Sequence, residues 1–359
     1  MKFFISTGEV SGDLHISYII NAIQKKDGSS QFIGVAGEHC RKLGVNIIQD
    51  IKDLAIIGFT GVIKKYSFLK KRAYEYLEII KSENIEKVIL VDYGGFNLSF
   101  LELLKKEVPH VKIYYYIPPK LWIWGKKRIK KLIKADKIMV IFPWEVDFYE
   151  ENNVKVTYFG NPFIEKYNFL ERTNEYVLLL PGSREQEIKS LFPVMEEIIK
   201  EKSNEKFLLK LSSQEHVKWL GEGIEKHDNL EIVIEDSLDS LVKKSKIAIC
   251  ASGTVTLELA IMGIPAIVIY ITGKINAFIG RHILKIGFVA LPNLTIDREV
   301  YPELLQEECR ADLIVKKMDE ILTNSNIKAK MYEEIIEVRQ RLKINNDHII
   351  ESYADFILK

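Results

Sequence analysis

Short apolar runs rich in β-branched residues alternate along the chain with stretches whose apolar positions recur at helical spacing. Amphipathic helices are predicted, for example, over Leu98–Glu107 and Glu185–Lys202. The predicted strands are Lys2–Thr7, Gln31–Ala36, Lys87–Asp92, Lys112–Ile117, Lys137–Phe142, Val154–Phe159, Tyr176–Leu180, Lys206–Leu211, Leu230–Ile234, Ile247–Ala251 and Ala266–Tyr270. Strands that alternate with helices in this way predict an α/β fold of parallel sheets covered on both faces.

The predicted strands are more than one compact sheet holds comfortably, so the pattern favours two doubly wound domains. It restarts after the polar stretch Glu171–Asn174, which predicts a first domain over 1–170 and a second over 171–344. From Lys316 onwards the chain is predicted to be almost wholly helical, and the apolar stripe of His348–Leu358 predicts a final helix that docks on another element. Ligands are expected beyond the carboxyl ends of the strands, in the cleft between the domains.

Composition narrows the functional classes. The chain has 359 residues, of which 47% are hydrophobic and 28% are charged, as in an ordinary soluble globular protein. A net charge of +1 provides no overall field for a polyanion, so any basic site must be local. The three cysteines lie far apart and indicate a reducing compartment. Neither a signal-peptide core nor an apolar run near the roughly 18–20 residues of a spanning helix is found, which predicts a protein of the cytoplasm or of a membrane surface.

The loop STGEVSGD follows the first predicted strand and leads into a helix. Gly8 and Gly12 would allow a tight turn and the close approach of a ligand to the helix N-terminus. The loop is neither a dinucleotide fingerprint nor a Walker loop, because GxGxxG and GK[ST] are both absent. The alternative interpretation is a plain turn in which Ser11 or Asp13 caps the helix.

A second loop, LVDYGGFN, places Asp92 at the carboxyl end of a buried strand, where catalytic side chains accumulate in α/β folds. Beside the paired glycines its carboxylate would be able to take a proton from a substrate hydroxyl. The alternative is that Asp92 caps a helix beginning near Asn97. The residues alone leave both interpretations open.

Two turns in the second half of the chain are suited to phosphate. LLPGSREQEI brings turn N–H groups, a helix dipole and the Arg184 guanidinium together, although a surface arginine beside a turn is the alternative. CASGTVTLELA forms a second small-residue turn before a helix, and Glu258 in that helix can accept hydrogen bonds from a ribose diol. Two anion-binding turns in one domain indicate a nucleotide diphosphate, and without an Asp-x-Asp pair no metal is predicted to bind it.

The segment PPKLWIWGKKRIKKLIK, residues 118–134, combines two tryptophans with a dense set of positive charges. On a helical interpretation Ile129, Leu132 and Ile133 form an apolar face that covers the sheet. The basic stripe beside it consists of Lys127, Lys130, Lys131 and Lys134. Such a stripe is typical of a solvated helix face, a nucleic-acid site or an anionic membrane surface, and the near-zero net charge disfavours nucleic acid.

Taken together in chain order, these motifs resemble the family of lipid-A-disaccharide synthase. The matching segments are GEVSGD at 8–13, VDYGGFN at 91–97, the proline-plus-WxW segment at 118–124, FPWE at 142–145, GNP at 160–162, LPGSR at 180–184, ASGTVTLELA at 251–260, LPNL at 291–294 and ELLQEEC at 303–309. They span nearly the whole chain, and several motifs in order are far more specific than any one of them.

The resemblance implies the GT-B fold, which has two Rossmann-like doubly wound domains with an inter-domain cleft and a helical C-terminal tail. The tail, residues 345–359, would pack back on the first domain or swap between protomers of a homodimer. The implied reaction transfers 2,3-diacylglucosamine from UDP-2,3-diacylglucosamine to the 6-hydroxyl of 2,3-diacylglucosamine 1-phosphate. It proceeds with inversion and with neither a metal nor a cofactor.

The resemblance also implies roles for individual residues. Asp92 is the expected catalytic base. The expected UDP-binding residues are Ser183, Arg184, Ser252, Gly253, Thr254, Glu258 and Asn293. The acceptor-side loop is expected to contribute Gly8, Glu9, Ser11 and Gly12.

Because both implied substrates carry acyl chains and reside in a membrane, the basic segment is interpreted as a rim that faces lipid. The expected rim residues are Trp122, Trp124, Lys126, Lys127, Lys130 and Lys131. The protein is accordingly expected in the cytoplasm, peripherally associated with the inner face of the cytoplasmic membrane, and not on nucleic acid.

The chain departs from the family pattern at two places. The family usually has D-[SA]-P-D-F-N, whereas this chain reads DYGGFN from Asp92, with Gly95 at the position of the second acid. The usual P-x-V-W-A-W appears as PPKLWIW, which is bulkier and more basic. A UDP-sugar epimerase and a different hexosaminyltransferase are the alternatives that would share the LPGSR-like and SGT-like turns.

Overall fold

The chain forms two compact units. Unit 1 comprises Met1–Glu165 together with Lys343–Lys359, and unit 2 comprises Lys166–Leu342. The computed structural model describes residues 1–57, 62–122, 125–221, 227–271 and 287–359. Trp124, one of the expected rim residues, lies outside the described residues.

Unit 1 is built on a six-stranded, fully parallel sheet in the order β3-β2-β1-β4-β5-β6. Its strands are β1 Lys2–Ser6, β2 Gln31–Ala36, β3 Asn46–Asp50, β4 Lys87–Val91, β5 Lys112–Tyr116 and β6 Lys137–Met139. Its helices are Val10–Lys26, Glu38–Arg41, Ile51–Ile57, Val62–Ser82, Gly94–Glu107, Ile129–Leu132, Pro143–Glu151, Phe163–Lys166 and Ile349–Leu358, with a 3₁₀ turn at Lys126–Arg128. At the centre of the sheet Phe4 of β1 lies between Ile33 of β2 and Val88 of β4.

Unit 2 repeats this architecture with the strand order β12-β11-β10-β7-β8-β9. Its strands are β7 Tyr176–Leu180, β8 Lys206–Lys210, β9 Leu230–Val233, β10 Ser245–Ala251, β11 Ala266–Tyr270 and β12 Glu303–Leu305. Its helices are Glu185–Glu201, Leu238–Lys244, Thr254–Met262, Leu291–Ile296, Ala311–Thr323 and Ser325–Lys343, with 3₁₀ turns at Gln214–Trp219 and Gln306–Glu308. The two sheets confirm the predicted α/β class.

The central strands form where the sequence is apolar without interruption. All five residues of β4, KVILV, are buried, and so are four of the five residues of β7 and of β11. Strands of a parallel sheet are covered on both faces, which is why they read as apolar runs and not as alternating patterns.

The C-terminal helix Ile349–Leu358 belongs to unit 1. Tyr353 is fully buried, and its hydroxyl lies 2.5 Å from the carbonyl oxygen of Val140 and 3.0 Å from that of Gly160. The Lys87 ammonium donates to the carbonyl oxygens of Ile357 and Leu358 at 2.6 and 2.8 Å. A cation at a helix C-terminus satisfies carbonyls that have no partner within the helix, so Lys87 stabilises the docked end.

One predicted strand is wrong and two were missed. Val154–Phe159 is not a strand, and only Thr157 bridges to β6, opposite Met139. The C-terminal segment supplies the partners there, since the Phe159 carbonyl accepts from Asn346 and its N–H donates to the Tyr353 hydroxyl. The missed strands, β3 and β12, are edge strands. Among the helices of the described residues, none has the length and apolar character needed to cross a bilayer.

Candidate functional site

The loops that carry the predicted site residues leave each sheet where its strand order reverses. In unit 1 the neighbouring strands β1 and β4 form this point, so the loops after Ser6 and Val91 lie side by side. In unit 2 the neighbours are β7 and β10, followed by the loops after Leu180 and Ala251. Doubly wound sheets bind ligands at such switch points. The topology therefore assembles the Asp92 and GEVSGD loops in one unit, and the Arg184 and ASGT loops in the other.

Asp92 has an unusual backbone conformation at the end of β4. Asp92 and Tyr93 both have left-handed φ angles, 44° and 48°, which residues other than glycine adopt rarely. The following helix begins at Gly94, with Tyr93 at its N-cap position. The interpretation of Asp92 as the cap of a helix beginning near Asn97 is therefore wrong, because the helix starts earlier and Asp92 lies outside the cap.

The peptide groups of Asp92 are held from both sides. Its N–H donates to the carbonyl oxygens of Tyr116 and Ile117 at 3.2 and 3.1 Å. Its carbonyl accepts from the Asn97 amide at 3.0 Å and from the Tyr115 hydroxyl at 2.8 Å. The loop is thus tied to both β5 and the following helix.

The GEVSGD loop approaches the Asp92 loop so closely that glycine is required at position 8. A Cβ there would lie 2.4 Å from the Tyr93 ring. At Gly12 a Cβ would lie 2.5 Å from the Thr7 hydroxyl. The pKa of the Tyr93 phenol is raised mainly by burial and to a smaller extent by the charge of Glu9. The two loops therefore form one continuous surface at this edge of unit 1.

The capping alternative for this loop is wrong. The helix begins at Val10, so Ser11 and Asp13 lie in its first turn and neither caps it. Asp13 is fully buried, and its carboxylate accepts from the backbone N–H groups of Gly37 at 2.7 Å and His39 at 2.9 Å. It stabilises the start of the next short helix. Ser11 is half-buried, and its role on the acceptor side stays a prediction.

Glu145 is a buried carboxyl group in FPWE that the sequence analysis did not single out as a site residue. It is 3% exposed and lies in the first turn of the helix Pro143–Glu151, where its Oε2 accepts from the Ile141 N–H at 3.3 Å. Burial is the main cause that raises its pKa from 4.5 to about 8, and the charge of Asp92 adds to the effect. Glu145 is therefore mostly protonated at neutral pH.

In unit 2, Arg184 follows β7 and is well exposed, with 66% of its side chain accessible. Gly182 has a φ of 106°, which lets the turn fold over Glu187. The Glu187 carboxylate accepts from the N–H groups of Ser183 and Arg184 at 3.1 and 3.3 Å, and pairs with the Arg184 guanidinium at 3.3 Å. The turn thus holds a negative group of its own, which the sequence analysis missed.

The ASGT turn precedes the helix Thr254–Met262. The Ser252 hydroxyl donates to the Val289 carbonyl at 3.2 Å, and the Thr256 hydroxyl donates to the Gly253 carbonyl at 2.8 Å. Glu258, further along the helix, accepts from the Tyr167 hydroxyl at 2.6 Å. Burial raises the pKa of the Glu258 carboxyl above its ordinary value, and the hydrogen bond from Tyr167 offsets part of this rise.

Asn293, expected at the UDP site, is fully buried. Its amide donates to the Tyr301 carbonyl at 2.8 Å and to Glu303 at 2.9 Å, while its oxygen accepts from the N–H groups of Val300 and Tyr301 at 3.0 and 2.9 Å. Glu303 also accepts from the Ala290 N–H at 2.8 Å. In this arrangement Asn293 holds the LPNL and ELL segments together, and direct contact with UDP stays a prediction.

The basic segment divides into residues that contact protein and residues that face solvent. Ile129 and Leu132 are buried as predicted, but Ile133, the residue after the end of the regular helix at Leu132, is 53% exposed. Lys131 and Lys134 both pair with Glu102 at 2.7 Å. The exposed lysines of the rim are Lys126, Lys127 and Lys130.

Two members of the segment contact other parts of unit 1. Arg128 donates to the Gly94 carbonyl at the start of the helix that follows Asp92. Trp122 is half-buried and packs edge-to-face on Trp144 with ring centres 6.0 Å apart. Among the residues that the structure describes, no three His, Cys, Asp or Glu side chains are grouped so as to hold a metal ion.

Comparison with solved structures identifies the class of fold. A UDP-GlcNAc 2-epimerase from Neisseria meningitidis bound to UDP-GlcNAc is 11% identical, with a TM-score of 0.70 and complete coverage of both chains. MurG from Acinetobacter baumannii is 12% identical, with a TM-score of 0.56 and 99% coverage of both chains. These similarities, together with the two parallel sheets, show the GT-B fold.

Sequence comparison identifies the family. Residues 3–353 match the family described as lipid-A-disaccharide synthetase. Lipid-A-disaccharide synthases from Geobacter metallireducens and Synechocystis are each 30% identical, covering 95% of this chain and 93% and 94% of the relatives. The chain belongs to the lipid-A-disaccharide synthetase family and is a glycosyltransferase.

Proposed function

We propose that the protein transfers 2,3-diacylglucosamine from UDP-2,3-diacylglucosamine to the 6-hydroxyl of 2,3-diacylglucosamine 1-phosphate, forming the β-1,6-linked lipid A disaccharide and UDP. The observation that carries the proposal is the location of Asp92 and of the two phosphate-type turns at the switch points of their sheets. One unit then supplies a base, and the other supplies groups for a nucleotide diphosphate.

In the proposed reaction Asp92 takes the proton of the acceptor 6-hydroxyl as its oxygen attacks the anomeric carbon. The bond from that carbon to the UDP oxygen breaks on the opposite face, so the configuration inverts. Arg184 and the helix N-termini stabilise the negative charge that develops on the departing diphosphate. Asp92 suits this role because hydrogen bonds hold its backbone on both sides at the carboxyl end of β4.

The proposed UDP site consists of the Arg184 turn and the ASGT turn of unit 2. Ser183 and Arg184 bind the diphosphate, with the Arg184 guanidinium leaving Glu187 for the ligand. The turn Ser252–Thr254 contributes N–H groups at a helix start. Glu258 accepts from the ribose diol, and Asn293 completes the site. Gly8, Glu9, Ser11 and Gly12 of unit 1 line the acceptor side.

The proposed lipid-facing rim binds the inner face of the cytoplasmic membrane through Lys126, Lys127 and Lys130, which are exposed. Replacing all three by glutamine should weaken binding to vesicles containing phosphatidylglycerol on the order of 100-fold at low salt, from about 1 kcal/mol per lysine. The control replaces Lys131 and Lys134, which pair with Glu102. Equal losses in both variants would contradict the assignment of the rim.

The reaction is tested by UDP release from the purified protein with both diacylated substrates. Release that requires the donor and the acceptor together supports the proposed transfer. Release from the donor alone would indicate hydrolysis, and no release with both would contradict the proposal. Conversion of the donor to a second UDP-sugar without an acceptor would instead indicate an epimerase, the activity named for a fold relative.

A further inference from the structure

Tyr115 connects the interior of unit 1 to the Asp92 loop. It is fully buried in β5, and its hydroxyl donates to the Asp92 carbonyl at 2.8 Å. Burial raises its pKa well above 10, so the phenol keeps its proton and remains a donor across the neutral range. The hydroxyl of Tyr116, the next residue, makes no hydrogen bond within the described residues although it is equally buried.

The Asp92 loop needs such support. Two consecutive residues, Asp92 and Tyr93, have left-handed backbones without being glycine, and such a conformation persists only where the surroundings enforce it. The N–H of Asp92 is secured by carbonyls from β5 and the residue after it. With the N–H fixed, the backbone conformation of the loop depends on the groups that donate hydrogen bonds to the Asp92 carbonyl.

Asn97 alone cannot hold that carbonyl firmly. Its amide nitrogen lies 3.0 Å from the Ser6 carbonyl, 3.2 Å from the Val91 carbonyl and 3.0 Å from the Asp92 carbonyl. An amide has only two hydrogens for these three acceptors. The Tyr115 hydroxyl, in contrast, directs its single hydrogen to Asp92.

We propose that Tyr115 is a positioning residue that orients the Asp92 carboxylate for proton transfer by fixing the peptide carbonyl of Asp92. The proposal rests on the proposed role of Asp92 as the base. Without the hydrogen bond from Tyr115 the Asp92–Tyr93 peptide turns and the left-handed loop relaxes, and a relaxed loop shifts the Cα of Asp92 and the carboxylate attached to it away from the acceptor hydroxyl. Tyr115 does not touch the substrate, and its effect passes entirely through Asp92.

The test compares Tyr115→Phe with Tyr116→Phe in the full chain. Both changes remove one buried hydroxyl from the same strand, but only the first removes a bond to the catalytic loop. Tyr115→Phe should lower kcat by about 10- to 100-fold, since small displacements of reacting groups cost up to this much. The KM of both substrates and the affinity for UDP should stay within about twofold of the wild type, as expected for loss of an interaction used only in the transition state. Tyr116→Phe should leave kcat unchanged.

Rates are referred to the folded fraction, measured by thermal unfolding of the same samples. A pH profile of kcat/KM adds a second readout: the plateau should fall while the acid limb stays in place, because the base is displaced and not changed in chemical environment. Equal kcat values for the two variants, in a preparation whose wild type releases UDP, would overturn the proposal. A wild type without turnover would contradict the proposed function instead.

Discussion

Replacing Glu145 by glutamine should make the protein more stable at alkaline pH and change little at acidic pH. The wild-type carboxyl is buried, and its folded-state pKa is about 8, compared with an ordinary value of 4.5. A glutamine has nearly the same shape and keeps an oxygen that can accept from the Ile141 N–H. The substitution therefore removes the cost of a buried ionisable group without opening a cavity.

The direction of this change in stability follows from the pH at which the folded and the unfolded chain each lose the Glu145 proton. Below pH 4.5 the carboxyl is protonated in both the folded and the unfolded chain, so its contribution to stability is complete. Between pH 4.5 and about 8 the unfolded chain ionises while the folded protein keeps the proton, and stability falls with rising pH. At 1.36 kcal/mol per pKa unit the total fall is roughly 5 kcal/mol. It is nearly complete above pH 8.

Urea unfolding followed by tryptophan fluorescence at pH 5 and pH 8.5 measures this difference. The free energy of unfolding of Glu145→Gln, minus that of the wild type, should grow by several kcal/mol between the two pH values. Glu150→Gln is the matched control, because Glu150 lies in the same helix and is exposed. A Glu145→Gln difference that is the same at both pH values would refute the reasoning, since it would place the carboxylate in an environment no different from water.

Three further outcomes are expected from the proposed function. Asp92→Asn should lower kcat by about 100- to 10,000-fold and leave UDP affinity unchanged in calorimetry, because it removes the base and keeps the shape; substantial remaining turnover would exclude Asp92 as the base. Arg184→Ala should weaken UDP binding by about 10- to 100-fold in the same titration, the worth of a charge-assisted contact; unchanged affinity would locate the diphosphate elsewhere. EDTA should leave UDP release unaffected, and a loss restored by added Mg²⁺ would contradict a reaction independent of metal.

Much of the fold could be predicted from apolar runs, because the central strands of each sheet are buried on both faces. The same reasoning failed at the sheet edges, where β12 has only three residues and three of the five residues of β3, NIIQD, are polar. It also failed at Val154–Phe159, which has the composition of a strand, but whose Phe159 finds its hydrogen-bond partners in the C-terminal segment. A pattern along the chain carries no information about such distant partners.

The candidate site likewise has residues that the sequence could predict and residues that it could not. The loops of Asp92 and Arg184 and the ASGT turn could be found because they follow strands and contain small residues. Tyr115 could not be found, since what matters about it is a tertiary contact with the Asp92 carbonyl. Glu187 was missed although its contact with the Arg184 turn is local, between residues three and four positions apart in the chain. The basic segment looked like one uniform stripe, yet Glu102 pairs with two of its lysines.

The proposed reaction is tested most directly by the structure of its product. The purified wild type would be incubated with UDP-2,3-diacylglucosamine and 2,3-diacylglucosamine 1-phosphate, and the lipid product analysed by mass spectrometry and NMR. We predict a tetraacylated disaccharide 1-phosphate with a β-1,6 linkage, formed in equal amount to UDP. A different linkage, an α configuration, or UDP release without a disaccharide would contradict the account.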